Sequence, residues 1–99
     1  MRLFHRTSVG PDAVMRAADG FFTAPPLDLT ATATGPRTRT FTGATGTMTI
    51  RVRMEGGHYT LVEVETDQIG ESRLDKNVKK FFVQLHRQAD PAHALEAGY

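Results

Sequence analysis

The chain has no cysteine, and this absence excludes disulfide bonds, thiol catalysis and metal sites built on thiolates. It has no apolar run long enough to span a membrane, and none follows the basic start of the chain as a secretory signal requires. The cytoplasm is therefore the expected location. Positive and negative side chains nearly balance at a formal net charge of +1, so no overall field draws the protein to nucleic acid or to an anionic membrane.

What is present fits one small globular domain. The chain has 99 residues, of which 39% are hydrophobic and 23% are charged, and both fractions are ordinary for a folded protein. A domain of this size can build one sheet covered by one layer of helix, but not a second core. We expect a single domain over residues 1–90 and a C-terminal tail over residues 91–99.

Two segments have the apolar spacing of amphipathic helices. The first begins at Pro11, where proline loses no hydrogen bond, and its apolar residues recur at three-to-four spacing up to Phe22. The second runs from Leu74 to Gln88, with an apolar stripe on one side and basic residues toward its C-terminal end. Before it, Ser72 and Asp75 have the spacing of a capping box.

Five segments alternate between apolar and polar residues, as strands do. One precedes the first helix at residues 2–9, and four follow at residues 27–34, 37–43, 46–55 and 58–67, divided by glycine-containing turns. Threonine is frequent between positions 30 and 49, which suits a half-solvated pleated surface. The order β-α-β-β-β-β-α predicts an α+β fold, a two-layer sandwich in which a mostly antiparallel sheet packs under the long C-terminal helix.

The turn at Gly56-Gly57 decides which residues of the last hairpin face each other. A two-residue loop would place Glu63 opposite Ile50 and bury a carboxylate among apolar side chains, which is costly. A loop of three or five residues instead places Ile50 opposite Val64, and we predict this register, with one loop residue at positive φ. The register buries Ile50, Val52, Val62 and Val64 under the terminal helix and leaves Arg51, Arg53, Glu63 and Glu65 exposed, with Arg51 opposite Glu63.

The pattern of elements resembles an abbreviated helix-grip domain of the START/Bet v1-like superfamily. A first strand runs directly into a short helix from Pro11 to Phe22, an antiparallel meander crosses Gly35-Pro36 and Gly56-Gly57, and a long terminal helix follows from Leu74 to Gln88. The resemblance covers nearly the whole chain. It implies that an apolar ligand binds between the sheet and the terminal helix, and it implies no catalytic residue.

The first twenty residues resemble the opening of small ADP-ribosyltransferase-type toxins. The similar residues are Leu3-Phe4-His5-Arg6-Thr7-Ser8, followed by a helix and by Asp19-Gly20-Phe21. The resemblance implies that His5 and Thr7 contact the ribose of NAD. An enzyme of this type needs His5 to face an open cleft with a carboxylate across it.

Motifs for metal, phosphate or nucleophile chemistry are not found in the sequence. The four histidines (His5, His58, His86 and His93) do not have the spacing of metal ligands. The segment Gly43-Ala44-Thr45-Gly46 joins two strands and does not lead into a helix, so a hairpin turn is favoured over an anion-binding loop. We expect no cofactor, no metal and no catalytic residue, and an enzyme is the less favoured class.

Arginine alternates along two adjacent predicted strands and could form a basic patch of Arg37, Arg39, Arg51 and Arg53. A sheet that binds single-stranded nucleic acid also needs exposed aromatic side chains for stacking, and few are available here. Acidic residues on the neighbouring strand favour solvated ion pairs across the strands. A weak nucleic-acid binder is therefore an alternative and not the first expectation.

Each helix carries a pair of adjacent phenylalanines, Phe21-Phe22 and Phe81-Phe82, whose side chains differ in azimuth by about 100°. One of each pair is expected at the edge of the buried stripe, where it either serves packing alone or marks a ligand pocket or a subunit contact. We expect a non-enzymatic domain that binds a small apolar ligand or a protein partner, including a second copy of itself, through the groove between sheet and helix or the open sheet face. The expected contact residues are Phe22, Met48, Ile50, Tyr59, Phe81 and Phe82.

Overall fold

The computed structural model describes residues 1–69 and 72–89, and these residues form five strands and two helices. The strands are β1 (Arg2–Thr7), β2 (Thr30–Gly35), β3 (Thr38–Gly43), β4 (Gly46–Glu55) and β5 (Tyr59–Thr66), and the helices are α1 (Pro11–Thr23) and α2 (Arg73–Ala89). This order confirms the predicted α+β fold. The predicted tail at residues 91–99 lies outside the described residues. Neither described helix is long and apolar enough to cross a membrane.

The five strands form one antiparallel sheet in the order β1-β5-β4-β3-β2. Strands β2 to β5 form a meander, and β1 pairs with the free side of β5 as the edge strand. Both helices cover the same face, because a single apolar core joins Val14 of α1 and Val78 of α2 to Ile50 and Val62 of the central strands. The sheet therefore has one covered face, one open face and two edge strands, β1 and β2.

The hairpin of β4 and β5 has the predicted register. Ile50 lies opposite Val64, and the connecting loop is three residues long because Glu55 pairs with Tyr59. Two loop residues, Gly56 and Gly57, have positive φ angles of 62° and 74°, which only glycine adopts at no steric cost. The four aliphatic residues of the hairpin are buried as expected: Ile50, Val52, Val62 and Val64.

Strand β2 begins three residues later than the alternation predicted. Leu27 and Leu29 are buried, but they belong to the connection that leaves α1 and not to a strand. Asp28 between them has φ of 49°, in the left-handed region that aspartate tolerates better than most residues, and the chain reverses there. The amide of Leu29 then donates a hydrogen bond to the carbonyl oxygen of Phe22 at 3.0 Å. The alternate burial of Leu27 and Leu29 is therefore produced by a turn and not by a strand.

The start of α2 is anchored by a buried carboxylate. The backbone amide of Asp75 donates to Ser72 Oγ at 3.1 Å, which is the capping contact that the spacing predicted. The Asp75 side chain does not reach back to the backbone of Ser72 as in a standard capping box. Its Oδ2 accepts a hydrogen bond from Ser72 Oγ at 2.8 Å, and its Oδ1 accepts one from Thr66 Oγ1 at 2.7 Å. The last strand and the last helix are thereby joined through Asp75.

Candidate functional site

A groove runs along the edge of the sheet where the C-terminal half of α2 crosses β1. It consists of two adjoining depressions that are open to solvent and share His5 and His86. One has a volume of about 340 Å³ and is lined by His5, Arg6, Thr7, Ser8, Tyr59, His86 and Ala89. The other has a volume of about 250 Å³ and is lined by His5, Phe82, Val83, His86 and Arg87. We call the two depressions together the His5 groove.

The alternation of β1 directs His5 into this groove. Leu3, His5 and Thr7 share the helix-covered face, and His5 lies opposite Val62 of β5. The imidazole stacks on the ring of Phe82, with ring centroids 5.0 Å apart and an interplanar angle of 15°. Phe82 is therefore the half-buried member of its pair that the helical azimuth predicted at the edge of the core.

Burial and a neighbouring histidine favour the neutral form of His5. Partial burial lowers the pKa of His5 below its usual value, and the positive charge that His86 can carry lowers it further. The Nε2 atom of His5 is shielded from solvent and has no hydrogen-bond partner among the described residues. A neutral imidazole is thus held between an aromatic ring and an open groove.

Hydroxyl groups line the groove on the side of β1 and β5. Thr7 is buried, and its Oγ1 accepts a hydrogen bond from the backbone amide of Val9 at 3.1 Å, which shapes the chain as it leaves β1. Ser8 is exposed, and Tyr59 is 55% exposed. Hydroxyls, imidazoles and an aromatic ring offer hydrogen bonds and stacking to a small molecule.

The six contact residues predicted from the sequence separate into two groups. Phe22, Met48, Ile50 and Phe81 are at most 1% exposed and fill the space between sheet and helices. Their mutual packing includes Phe22 and Phe81, whose ring centroids are 5.1 Å apart. A ligand therefore cannot touch these four without opening the core. Only the remaining two, Tyr59 and Phe82, line the His5 groove.

The four arginines of the predicted basic patch do not lie together. Arg37 and Arg39 lie toward α1, where Arg37 Nε is 3.9 Å from Asp12 Oδ1 and Arg39 Nε is 3.2 Å from Asp19 Oδ1. Arg39 lies opposite the buried Ile50 and so belongs to the helix-covered side of the sheet. Arginines at alternate positions of two adjacent strands do not necessarily share one surface. Here the register of β3 places Arg39 on the helix-covered side of the sheet.

Arg51 and Arg53 lie on the open face and form ion pairs with β5. Arg51 is directly opposite Glu63 in the register, as predicted, but its guanidinium reaches diagonally to Glu65 Oε2 at 3.5 Å. Arg53 reaches diagonally to Glu63 Oε1, also at 3.5 Å. Exposed pairs of this kind contribute little to stability and partly neutralise the face.

The transferase resemblance requires an open cleft at His5 and a carboxylate across it, and only the first is found among the described residues. His5 does face an open groove, but no acidic side chain lines it within residues 1–69 and 72–89. The two glutamates of β5 lie on the opposite face of the sheet, since Glu63 pairs with Phe4 and Glu65 with Arg2. Nor do three potential metal ligands cluster anywhere in the described part of the chain.

Sequence reasoning missed the part of the groove that α2 contributes beyond Phe82. Arg87 was expected among the basic residues of α2, His86 was considered only as a histidine without metal-ligand spacing, and Val83 was not singled out. Thr7 and Ser8 were named through the transferase resemblance. No local signal separates these residues from ordinary surface positions, because their role depends on where α2 crosses β1. Only the structure shows that Val83 is 46% exposed on an otherwise polar side of the helix.

Comparisons with protein-family models, with curated proteins and with solved structures found no match for this chain. The resemblances to helix-grip domains and to ADP-ribosyltransferase-type toxins therefore stay predictions.

Proposed function

We propose that the protein is a non-enzymatic binding module whose ligand is a small molecule with an apolar body and an anionic group, held in the His5 groove. The observation that carries the proposal is the composition of the lining. Phe82 and Val83 supply apolar surface, and Arg6, His86 and Arg87 supply groups that can bear positive charge. Arg6 pairs with Glu55, whose Oε1 lies 2.8 Å from Arg6 Nε. Apolar surface beside a few polar groups is the usual chemistry of small-molecule sites.

The volume of the groove suits a ligand of one or two rings. Ligand pockets commonly measure about 300–1,000 Å³, and the larger depression lies near the lower end of that range at about 340 Å³. The neutral state of His5 supports an apolar body in this place. Covering a neutral imidazole costs far less free energy than covering a charged one, and its ring can stack with a planar ligand.

We place the proposed ligand outside the sheet-helix interior because the core is closed. Phe22, Ile50 and Phe81 are fully buried and occupy the space that a helix-grip ligand would need. The ligand class is therefore the apolar one expected from the sequence, but its proposed site lies beside the C-terminal half of α2.

The test is a titration followed by NMR with two probes of the same ring system, naphthalene carboxylate and the uncharged naphthylmethanol. We expect shifts centred on His5 and Phe82, with tighter binding of the carboxylate. Phe82→Ala should weaken both probes, whereas Arg87→Gln should weaken only the carboxylate. Phe4→Ala, which removes an exposed ring on the opposite face, is the matched control and should change neither affinity.

Two results would overturn the proposal. One is unchanged affinity of both probes for Phe82→Ala, which would show that the groove does not hold the apolar body. The other is equal affinity for the carboxylate and the alcohol in the wild-type protein, which would remove the anionic group from the ligand class.

A further inference from the structure

Strand β2 is an edge strand that lacks charge and proline, and its one irregularity is a register shift between Ala33 and Gly35 near its end. It hydrogen-bonds to β3 on one side, and no other described backbone hydrogen bond reaches it. In an edge strand, alternate residues present unpaired amide and carbonyl groups to the outside. The six residues Thr30–Gly35 contain no charged residue and no proline, which are the common means of blocking an edge. Its exposed residues include Thr30, Ala31, Thr32 and Ala33.

The opposite edge of the same sheet shows the contrast. Strand β1 carries two exposed arginines, Arg2 and Arg6, and α2 packs beside it through the stacking of Phe82 on His5. Charge and a neighbouring helix therefore protect β1. On β2, Ala31 and Ala33 lie on the side of the sheet that α1 approaches, but both remain exposed, so α1 leaves these edge side chains uncovered.

The sequence of β2 is complementary to itself. The run Thr30-Ala31-Thr32-Ala33-Thr34 reads the same in both directions about Thr32. A twofold axis at Thr32 would pair two such strands antiparallel, with Thr32 opposite Thr32 and each alanine opposite an alanine. Twofold interfaces require this kind of self-complementarity, and threonine pairs across strands are favourable.

Charges at the two ends of β2 favour the antiparallel arrangement. Asp28 precedes the strand and Arg37 follows it, and both are exposed. Antiparallel pairing brings Asp28 of one copy toward Arg37 of the second copy at both ends of the interface, where Arg37 also lies 3.9 Å from Asp12 of its own chain. Parallel pairing would bring aspartate toward aspartate and arginine toward arginine, which is unfavourable.

We propose that two copies of this chain associate through β2, in antiparallel register about a twofold axis at Thr32. The two five-stranded sheets become one continuous sheet, with the helices of both copies on the same side. One short strand pair buries little surface, so the dimer is weak and its population depends on concentration. The His5 groove lies at the other edge of each sheet, and the association is independent of the function proposed for it.

Sedimentation velocity over a range of micromolar to millimolar concentrations tests the proposal. The wild-type protein should pass from monomer to dimer as concentration rises. Thr32→Lys and Thr32→Glu each place like charges face to face at the axis and should weaken dimerisation by about tenfold or more. An equal mixture of the two variants should recover association, because lysine then faces glutamate. Thr42→Lys is the matched control, on the same face but on the interior strand β3, and should dimerise as the wild type does.

Cross-linking gives a second readout, because the natural chain has no cysteine. Directly opposite residues of antiparallel strands have the Cα separation that a disulfide requires. Oxidised Thr32→Cys should therefore form a covalent dimer, and Thr42→Cys should not. The proposal is overturned if the wild type stays monomeric at every concentration or if Thr32→Lys dimerises like the wild type. Failure of the lysine–glutamate mixture to associate overturns the register.

Discussion

Thr66 Oγ1 donates a hydrogen bond of 2.7 Å to Asp75 Oδ1, and this contact joins the end of β5 to the first turn of α2. Asp75 is fully buried and receives its other side-chain hydrogen bond from Ser72. A buried carboxylate is tolerated only when hydrogen bonds replace the water it has lost. Its position near the N-terminus of α2 is also favourable, because the helix dipole attracts negative charge there.

Thr66→Val should therefore destabilise the protein by about 1–3 kcal/mol, since valine keeps the shape of threonine but leaves Asp75 Oδ1 without its donor. Thr42→Val is the matched control, because Thr42 is exposed on β3, and its effect should stay within about 0.5 kcal/mol. Urea denaturation measures both values from the shift in midpoint at constant slope. Equal midpoints for the two variants would contradict the assigned role of Thr66.

Two glycines should respond in opposite directions to replacement by alanine. Gly46 has φ of 131°, and a Cβ there would lie 2.6 Å from both Asp67 Oδ1 and Gln68 Nε2, so Gly46→Ala should cost about 1–3 kcal/mol. Gly20 lies within α1 with open space around it, so Gly20→Ala should stabilise the protein by about 0.5–1 kcal/mol. Thermal unfolding followed by circular dichroism shows both shifts. A stabilised Gly46→Ala protein would refute the strained geometry at that turn.

Stability should depend on pH through His5. Burial, and then His86, lower the pKa of His5 in the folded protein below its unfolded value near 6.5, so the unfolded chain binds the proton more readily. The stabilising contribution is present above the unfolded value and is lost as the pH falls through the lowered one. His5→Phe keeps the stacking on Phe82 and removes the titration. Its free energy of unfolding should fall less than that of the wild type between neutral and mildly acidic pH, and parallel curves would contradict the prediction.

Substitutions at Phe81 and Phe4 compare the loss of a buried ring with the loss of an exposed one. Phe81 is fully buried and contacts both phenylalanines of α1, with ring centroids 5.5 Å from Phe21 and 5.1 Å from Phe22. Phe81→Ala should lower the free energy of unfolding by about 3–5 kcal/mol because a cavity remains where the ring was. Phe4 is 55% exposed, and Phe4→Ala should cost no more than about 1 kcal/mol. Denaturation midpoints of the two variants provide the comparison.

The fold was predictable because its signals are local. The apolar spacing from Leu74 onward marked α2, and the cost of burying Glu63 selected the hairpin register that pairs Ile50 with Val64. The candidate site was predictable only in part. Phe82 and Tyr59 were among the expected contact residues, but Phe22 and Phe81 proved to be closed core, since an apolar residue at helical spacing looks the same in a filled core and in a pocket.

By itself the sequence determined the type and order of the elements and the buried faces of the two helices and of the β4–β5 hairpin, because the periods of helices and strands are properties of consecutive residues. Only the tertiary structure decided that His5 stacks on Phe82 beside His86, because that contact depends on where α2 crosses the sheet. It also decided that Arg39 turns toward Asp19, since the pairing of β3 with β4 sets its face. Likewise, β2 became an edge strand through the order of the sheet, which no local spacing encodes.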